Sequence, residues 1–234
     1  MVKALVKDLT SSKLRAGRAS AALAVPVICS ALFGLSVATV PAIAASHGPI
    51  AIHGDSTAQG ARIGGISVIW NLFPKLDGIR WWNRLARSYD PPRQVFNDGA
   101  GGQTILALRE KMEKDFVHRR DLTIIYDRRN AGEDPDFYIA TLNAALATLQ
   151  TRHFLILPQV GWATVKDEDW TVVQEINRRI VLKWPSNTFS PREAASFAKA
   201  LASPSTRIDG LHRNAIGQAI EARYIKTWID ARGW

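Results

Sequence analysis

Cysteine is almost absent from this sequence, since Cys29 is the only one among 234 residues. A single cysteine excludes an intrachain disulfide, and it excludes a metal site built from several thiolates. Cys29 also lies in an N-terminal stretch that we expect to be removed, which leaves the folded domain without a thiol nucleophile. Covalent catalysis by this domain must therefore use other side chains.

Basic clusters are missing after the N-terminus, although the formal net charge of the whole chain is +9. Five lysines and arginines and one acid, Asp8, fall within the first 18 residues. The rest of the chain has a net charge of +5, with its basic residues scattered among acidic ones. This pattern does not favour nucleic-acid binding, so we expect no nucleic-acid partner.

Charged residues are also absent from Ser20 to Ala45, directly after the basic leader. A basic leader, an apolar middle and an Ala-Ile-Ala ending are typical of a secretory signal peptide. We therefore expect residues 1–45 to be cleaved off, and residues 46–234 to form one secreted or periplasmic domain. The alternative is an uncleaved membrane anchor, because an apolar run of this length can span a bilayer.

After residue 45, strand and helix patterns alternate along the chain. Short apolar runs predict strands over Pro49–Ile52, Gln94–Phe96, Leu122–Tyr126 and Phe154–Leu157. Helical spacing predicts helices over Ile79–Tyr89, Thr104–Asp115 and Asp169–Trp184, and three more after the capping residues Asp134, Ser190 and Asn214. In the last helix an apolar repeat every four residues favours one buried face, made of Ile216, Ile220, Tyr224 and Trp228. Strands separated by helices predict an α/β domain, with a parallel sheet covered on both faces.

The first strand ends in Gly54-Asp55-Ser56, which is the stretch of most chemical interest. A serine on a tight turn after a strand presents its hydroxyl for nucleophilic attack. Gly-Asp-Ser is also common in ordinary turns, so the motif needs support from elsewhere in the chain. The Gly-x-Ser-x-Gly elbow of the α/β-hydrolases is absent, because Ala58 stands at its last glycine position.

Support for Ser56 comes from the residues that follow the next two strands. Gly102 follows the second strand and Asn130 follows the third. The carboxyl ends of parallel strands meet at one edge of a sheet, where ligands bind in such folds. We therefore expect the backbone N–H groups of Ser56 and Gly102 and the Asn130 amide to form an oxyanion hole. Alternatively, the glycines form only a strand-to-helix turn, and Asn130 bonds its own backbone.

His212 is the strongest of the five histidines as a general base for Ser56. Asp209 lies three residues earlier, on a turn that contains Gly210, and can hold the imidazole in one tautomer. The alternative is a capped turn before the last helix. His53 adjoins the serine motif, but strand alternation places it on the opposite face from Ser56. Because a turn lies between the two residues, a role for His53 in shaping the pocket stays open.

These blocks resemble the SGNH (GDSL-type) hydrolases, over nearly the whole chain after residue 45. Gly54-Asp55-Ser56 matches the first block of that family, and Asn97-x-Gly99-x-Gly101-Gly102-Gln103-Thr104 matches the second. Asp209-Gly210-Leu211-His212 matches the last. The resemblance implies a flavodoxin-like, three-layer α/β/α fold, no metal or other cofactor, and ester hydrolysis through an acyl-serine intermediate.

The third block departs from the family, which has Gly-x-Asn-Asp where this chain has Arg128-Arg129-Asn130-Ala131. Arg128 would reshape the acyl pocket, attract an anionic substrate, or mark a protein that binds without catalysing. A simpler interpretation is that Asp127 pairs with Arg128 or Arg129. We take Asp55, Arg128 and Trp162 as candidate substrate-binding residues.

The sequence leaves the substrate open between lipid esters and acylated glycans. Several of its eight tryptophans fall in or near predicted loops, where their rings would stack on sugars: Trp70, Trp81, Trp82, Trp162 and Trp170. The large apolar area of tryptophan favours the alternative, in which most of these rings pack in the core. Three functions thus remain, which are ester hydrolysis (for example of acetyl groups on carbohydrate), acyl transfer to a sugar, and carbohydrate or envelope binding without catalysis.

Overall fold

The computed structural model of the protein describes residues 47–60, 78–128, 130, 132–160 and 167–234. The predicted signal peptide or anchor lies outside these residues, as do Trp70 and Trp162. Within the described ranges, no helix combines the length and the hydrophobicity needed to cross a bilayer.

A four-stranded parallel sheet forms the centre of the domain, in the order β2-β1-β3-β4. Its strands are β1 Ile50–Gly54, β2 Val95–Asn97, β3 Leu122–Tyr126 and β4 Phe154–Ile156. The register pairs Ile52 of β1 with Asn97 on one side and Ile124 on the other. A parallel bridge between Ile156 and Thr188 continues the sheet beyond β4. Since β1 and β3 are central, each is buried along its whole length, as the near-continuous apolar runs predict.

Seven α-helices lie in the described residues, and they cover the sheet on both faces. They are α1 Ser56–Gln59, α2 Trp81–Arg87, α3 Ile105–Lys114, α4 Pro135–Leu146, α5 Asp167–Lys183, α6 Pro191–Ala202 and α7 Ala215–Asp230. Side chains of α2, α6 and α7 pack against Ile52 and Ile124 on one face. Side chains of α3, α4 and α5 pack against Ile125 and Ile156 on the other. The α/β fold with a parallel sheet is therefore confirmed.

Local sequence signals determine where several helices begin. The Asp134 carboxylate accepts N–H groups at the start of α4, and the Asn214 side chain does the same at α7. Ser190 and Glu193 form a reciprocal capping box at α6. Residue type and spacing predict these caps, because each bond lies within one turn of chain.

The predicted inward face of α7 is wrong at Ile216 only, since Trp228 is buried and Ile220 and Tyr224 pack against the core. Ile216 is 57% exposed, whereas Gln218 and Glu221 are buried together with Ile225 and Ile229. The burial of Gln218 is accompanied by a hydrogen bond, since its Oε1 accepts the backbone N–H of Trp81 at the start of α2, at 2.7 Å. A buried polar residue is tolerated when it is hydrogen-bonded, and the apolar repeat alone contains no information about such partners.

Trp81 is a core residue rather than a sugar platform. It is fully buried in α2, and its indole N–H donates to the Thr57 carbonyl oxygen at 3.0 Å. Burial of the ring therefore serves the packing of α2 beside α1, the short helix that begins at Ser56.

Candidate active site

The turn that carries Ser56 is fixed by its neighbours on β3. A side chain on Gly54 would lie 2.0 Å from the Tyr126 carbonyl oxygen, so only glycine fits at this end of β1. The Asp55 N–H donates to the same carbonyl oxygen at 3.3 Å. The Asp55 carboxylate in turn accepts the Thr57 N–H at 2.7 Å and caps α1. Ser56 is therefore the first residue of α1, and its N–H has no acceptor within that helix.

His212 lies within hydrogen-bond distance of Ser56 on one side of its ring and of Asp209 on the other. His212 Nε2 is 3.0 Å from Ser56 Oγ. His212 Nδ1 is 2.9 Å from Asp209 Oδ2. A carboxylate beside Nδ1 favours the tautomer with its proton on that nitrogen, which leaves Nε2 to accept the proton of the serine hydroxyl.

Local bonds shape the loop that holds Asp209 and His212. Asp209 Oδ1 accepts the backbone N–H groups of Leu211, at 3.2 Å, and of His212, at 2.7 Å. The Ile208 N–H donates to the His212 carbonyl oxygen, next to an antiparallel bridge between Arg207 and Arg213. One aspartate therefore orients the imidazole and also folds the turn that presents it.

The loop between β2 and α3, which contains the second family block, is hydrogen-bonded to the serine turn. Asn97 Nδ2 donates to the Ala58 carbonyl oxygen at 2.8 Å, and the Ala100 N–H donates to the Gly54 carbonyl oxygen at 3.0 Å. These bonds bring Gly101 close to Ser56, because a side chain on Gly101 would lie 3.9 Å from Ser56 Cβ. Gly102 follows, with open space where its side chain would be.

Asn130 reaches the same edge of the sheet, between the first two blocks. Its Nδ2 donates to Asp55 Oδ2 at 3.0 Å and to the Gln103 carbonyl oxygen at 2.7 Å. The primary amide has two N–H bonds, and both are directed at acceptors of the protein. Asn130 thereby connects the loops that follow β1, β2 and β3.

Two of the candidate substrate-binding residues, Asp55 and Arg128, have almost no exposed surface. Asp55 is 0% exposed and Arg128 is 3% exposed. Asp55 uses its carboxylate to hold the serine turn and Asn130, as described above. The third candidate, Trp162, lies outside the described residues.

Asp127 is likewise buried, and it makes a contact that the sequence did not indicate. Its Oδ2 accepts a hydrogen bond from the Tyr138 hydroxyl at 3.2 Å. Burial raises the pKa of Asp127 well above its ordinary value, and the nearby Asp55 carboxylate raises it further. This favours a neutral carboxyl group behind the Asn130 loop.

The remaining histidines lie in other settings. His53 is buried on β1, with its Nδ1 3.0 Å from Asp98 Oδ1, and His118 Nδ1 is 2.8 Å from Asp121 Oδ2. Across the described ranges, no group of three or more His, Cys, Asp or Glu side chains is arranged to hold a metal ion.

Sequence reasoning missed three buried polar residues near this edge, namely Tyr126, Arg213 and Glu221. Two faint signals were available. Arg213 directly follows the proposed base, and Glu221 lies among apolar residues of the last helix.

Comparison with known proteins gives matches at the level of structure only. No protein-family model and no curated protein matches the sequence. Among solved structures, a member of the lipolytic protein G-D-S-L family from Veillonella parvula aligns with a TM-score of 0.58 and 18% identity, over 75% of this chain and 94% of that one. A lipase/acylhydrolase from Enterococcus faecalis aligns with a TM-score of 0.60 and 12% identity, over 79% and 96%.

A third similar structure is a variant of an acetyl-xylooligosaccharide esterase from Geobacillus. It aligns with a TM-score of 0.56 and 16% identity, over 78% of this chain and 94% of that one. Likeness at these identities establishes the fold and leaves the activity to be argued from the site. The chain thus has the three-layer α/β/α fold of the G-D-S-L, or SGNH, lipolytic proteins, as its sequence motifs predict.

Proposed function

We propose that this protein is a serine hydrolase of carboxylic esters. The observation that carries the proposal is the chain of two hydrogen-bond distances, 3.0 Å from Ser56 Oγ to His212 Nε2 and 2.9 Å from His212 Nδ1 to Asp209. Nucleophile, base and orienting carboxylate in this geometry are the components of acyl transfer through a covalent intermediate. The fold shared with lipolytic proteins and esterases supports the same reaction class.

In the proposed reaction, Ser56 Oγ attacks the ester carbonyl carbon while His212 Nε2 takes the hydroxyl proton. The tetrahedral intermediate then expels the alcohol, which receives that proton from His212, and an acyl-serine remains. Water attacks the acyl-serine with His212 again as base, so the acid is released and Ser56 is regenerated. Asp209 stabilises the imidazolium in both halves of the cycle.

The proposed oxyanion donors are the backbone N–H groups of Ser56 and Gly102 and the side-chain amide of Asn130. The first lies in the initial turn of α1, where N–H groups point out of the helix. Asn130 would give up its bond to the Gln103 carbonyl oxygen in order to donate to the oxyanion. The lost bond to Gln103 offsets part of the free energy by which the Asn130 amide would stabilise the oxyanion.

We further propose that the enzyme is exported and removes short acyl groups, such as acetyl, from carbohydrate. The N-terminal leader supports export, as argued from its residues. The substrate class is supported by the similarity in fold to the acetyl-xylooligosaccharide esterase. N-terminal sequencing of the exported protein tests the first part, and a chain that retains residues 1–40 would favour the anchor.

The decisive experiment assays the protein without residues 1–45 against p-nitrophenyl esters of increasing chain length, beside acetylated xylan. We expect turnover that Ser56→Ala lowers by about a thousandfold or more. Ser196→Ala, which removes an exposed hydroxyl from α6, is the matched control and should have no effect. A Ser56→Ala variant with near-full activity would refute the assignment.

The same assay distinguishes hydrolysis from acyl transfer, since both would use Ser56. Adding a sugar acceptor should leave the yield of free acid unchanged for a hydrolase. Acylated sugar formed at the expense of free acid would instead identify a transferase. If no ester reacts and a fluorophosphonate fails to label Ser56, the non-catalytic binding hypothesis is favoured.

A further inference from the structure

The proposed base and nucleophile come from distant parts of the chain. Contacts of the tertiary structure must therefore set the distance between them. Local bonds fix His212 relative to Asp209, but Ser56 is 156 residues away in sequence. The loop that carries His212 must therefore be anchored to the sheet edge that carries Ser56.

Arg213, the residue after His212, extends into the interior. It is only 2% exposed, its Nε lies 3.3 Å from Glu221 Oε1, and its Nη1 lies 3.5 Å from the Leu201 carbonyl oxygen. A buried guanidinium requires a charge partner and hydrogen-bond acceptors, and Glu221 provides the charge.

Glu221 extends this contact to the sheet. It is 0% exposed on α7, and its Oε1 also accepts a hydrogen bond from the Tyr126 hydroxyl at 2.7 Å. Tyr126 is the last residue of β3, and its carbonyl oxygen accepts the Asp55 N–H, next to Ser56. The backbone of Tyr126 thus holds the serine turn. Its hydroxyl contacts Glu221, which binds Arg213 and so holds the loop that carries His212.

We propose that Tyr126, Glu221 and Arg213 form a buried brace that sets the distance between Ser56 and His212. They are positioning residues, and this role rests on the proposed serine hydrolase function. A buried ion pair is often no more stabilising than a well-packed apolar pair, so stability alone does not explain it. What the pair adds is direction, and a misplacement of about 1 Å in a catalytic group costs roughly a hundredfold in rate.

Tyr126→Phe tests the brace with the smallest change, because it removes one hydroxyl. We expect kcat to fall about tenfold, with KM nearly unchanged, since only the alignment of the reacting groups is altered. Tyr89→Phe is the matched control, because Tyr89 is a buried tyrosine packed on the same face of the sheet. It should retain wild-type kcat.

The double variant Arg213→Met with Glu221→Leu separates positioning from stability. An apolar pair of similar volume should retain the fold, as judged by its urea unfolding midpoint, while the directional contacts are lost. We expect about a tenfold to hundredfold loss of kcat in this folded protein. If it does not fold, Tyr126→Phe still decides the question.

Two readouts keep this inference separate from the proposed function. One is the rate at which a fluorophosphonate labels Ser56, and the other is the ¹⁵N chemical shift of His212 Nε2, which reports its bond to Ser56. Slower labelling or a changed shift in Tyr126→Phe, with Tyr89→Phe unaffected, supports the brace. An unlabelled wild-type protein would refute the hydrolase, while the chemical shift would still test the brace. If the folded variants have wild-type kcat and an unchanged ¹⁵N chemical shift of His212 Nε2, the brace proposal is overturned.

Discussion

Asn130 differs from a free donor in the proposed oxyanion hole, because its amide already donates to Asp55 and to the Gln103 carbonyl oxygen. Asn130→Ala should lower kcat by about tenfold to a hundredfold, with KM little changed. This loss is smaller than the roughly hundred- to thousandfold typical of a donor that is free in the resting enzyme. Steady-state kinetics measure it, with the exposed Asn143→Ala of α4 as control. An unaltered kcat would remove Asn130 from the oxyanion hole.

Asp209 combines two tasks, and one substitution should separate them. In Asp209→Asn, the side-chain oxygen still accepts the turn N–H groups of Leu211 and His212, so the loop should retain its shape. The amide nitrogen then faces His212 Nδ1 and favours the wrong imidazole tautomer. We expect kcat to fall by about a thousandfold or more with an unchanged unfolding midpoint. A kcat that falls only together with the unfolding midpoint would instead indicate a purely structural role for Asp209.

At the scale of elements, two helix caps of similar strength should differ in their effect on activity. Asn214 caps α7, and its amide also donates to the Ser205 carbonyl oxygen at 2.7 Å and the Arg207 carbonyl oxygen at 3.4 Å. Ser190 caps α6 without any contact to the histidine loop among the bonds of the described residues.

Ser190→Ala and Asn214→Ala should each reduce the free energy of unfolding by about 1 kcal/mol. Only Asn214→Ala should also lower kcat, because it frees the loop that carries His212. Urea unfolding and ester kinetics on the two variants provide the comparison. Equal kcat values in both variants would show that the cap contributes stability alone.

The buried carboxyl group of Asp127 should make the stability of the folded protein depend on pH. The pKa of Asp127 is raised in the folded protein, mainly by burial. The folded state therefore retains this proton while the unfolded state loses it above about pH 4. The stability contribution of Asp127 is complete below that pH and is lost as pH rises towards the raised pKa.

Asp127→Asn should remove this dependence, because the asparagine is neutral at every pH. The variant should gain free energy of unfolding relative to wild type as pH rises from about 4 to 8, since each tenfold difference in proton affinity is worth about 1.4 kcal/mol. Urea titrations across that range measure the gain, with the exposed Glu110→Gln as control. A pH-independent difference would mean that Asp127 is ionised in the folded state.

Features that depend on nearby residues are predictable from the sequence alone. Strand β3 has the bounds Leu122–Tyr126 that its apolar run predicts, and the caps at Asp134, Ser190 and Asn214 begin the helices that follow them. Hydrophobic periodicity and capping act over one or two turns of chain, so they can be seen in the residues alone. The parallel order of strands then brings Ser56, Gly102 and Asn130 to one edge of the sheet.

The pairing of polar side chains that lie far apart in the chain depends on the tertiary structure. The apolar repeat predicts Ile216 on the inward face of α7, but Glu221 is buried there and accepts a hydrogen bond from Tyr126, 95 residues away in sequence. Asn130 donates to Asp55 across 75 residues for the same kind of reason. A buried polar group depends on partners that the fold brings to it, and neither spacing nor hydropathy encodes those partners.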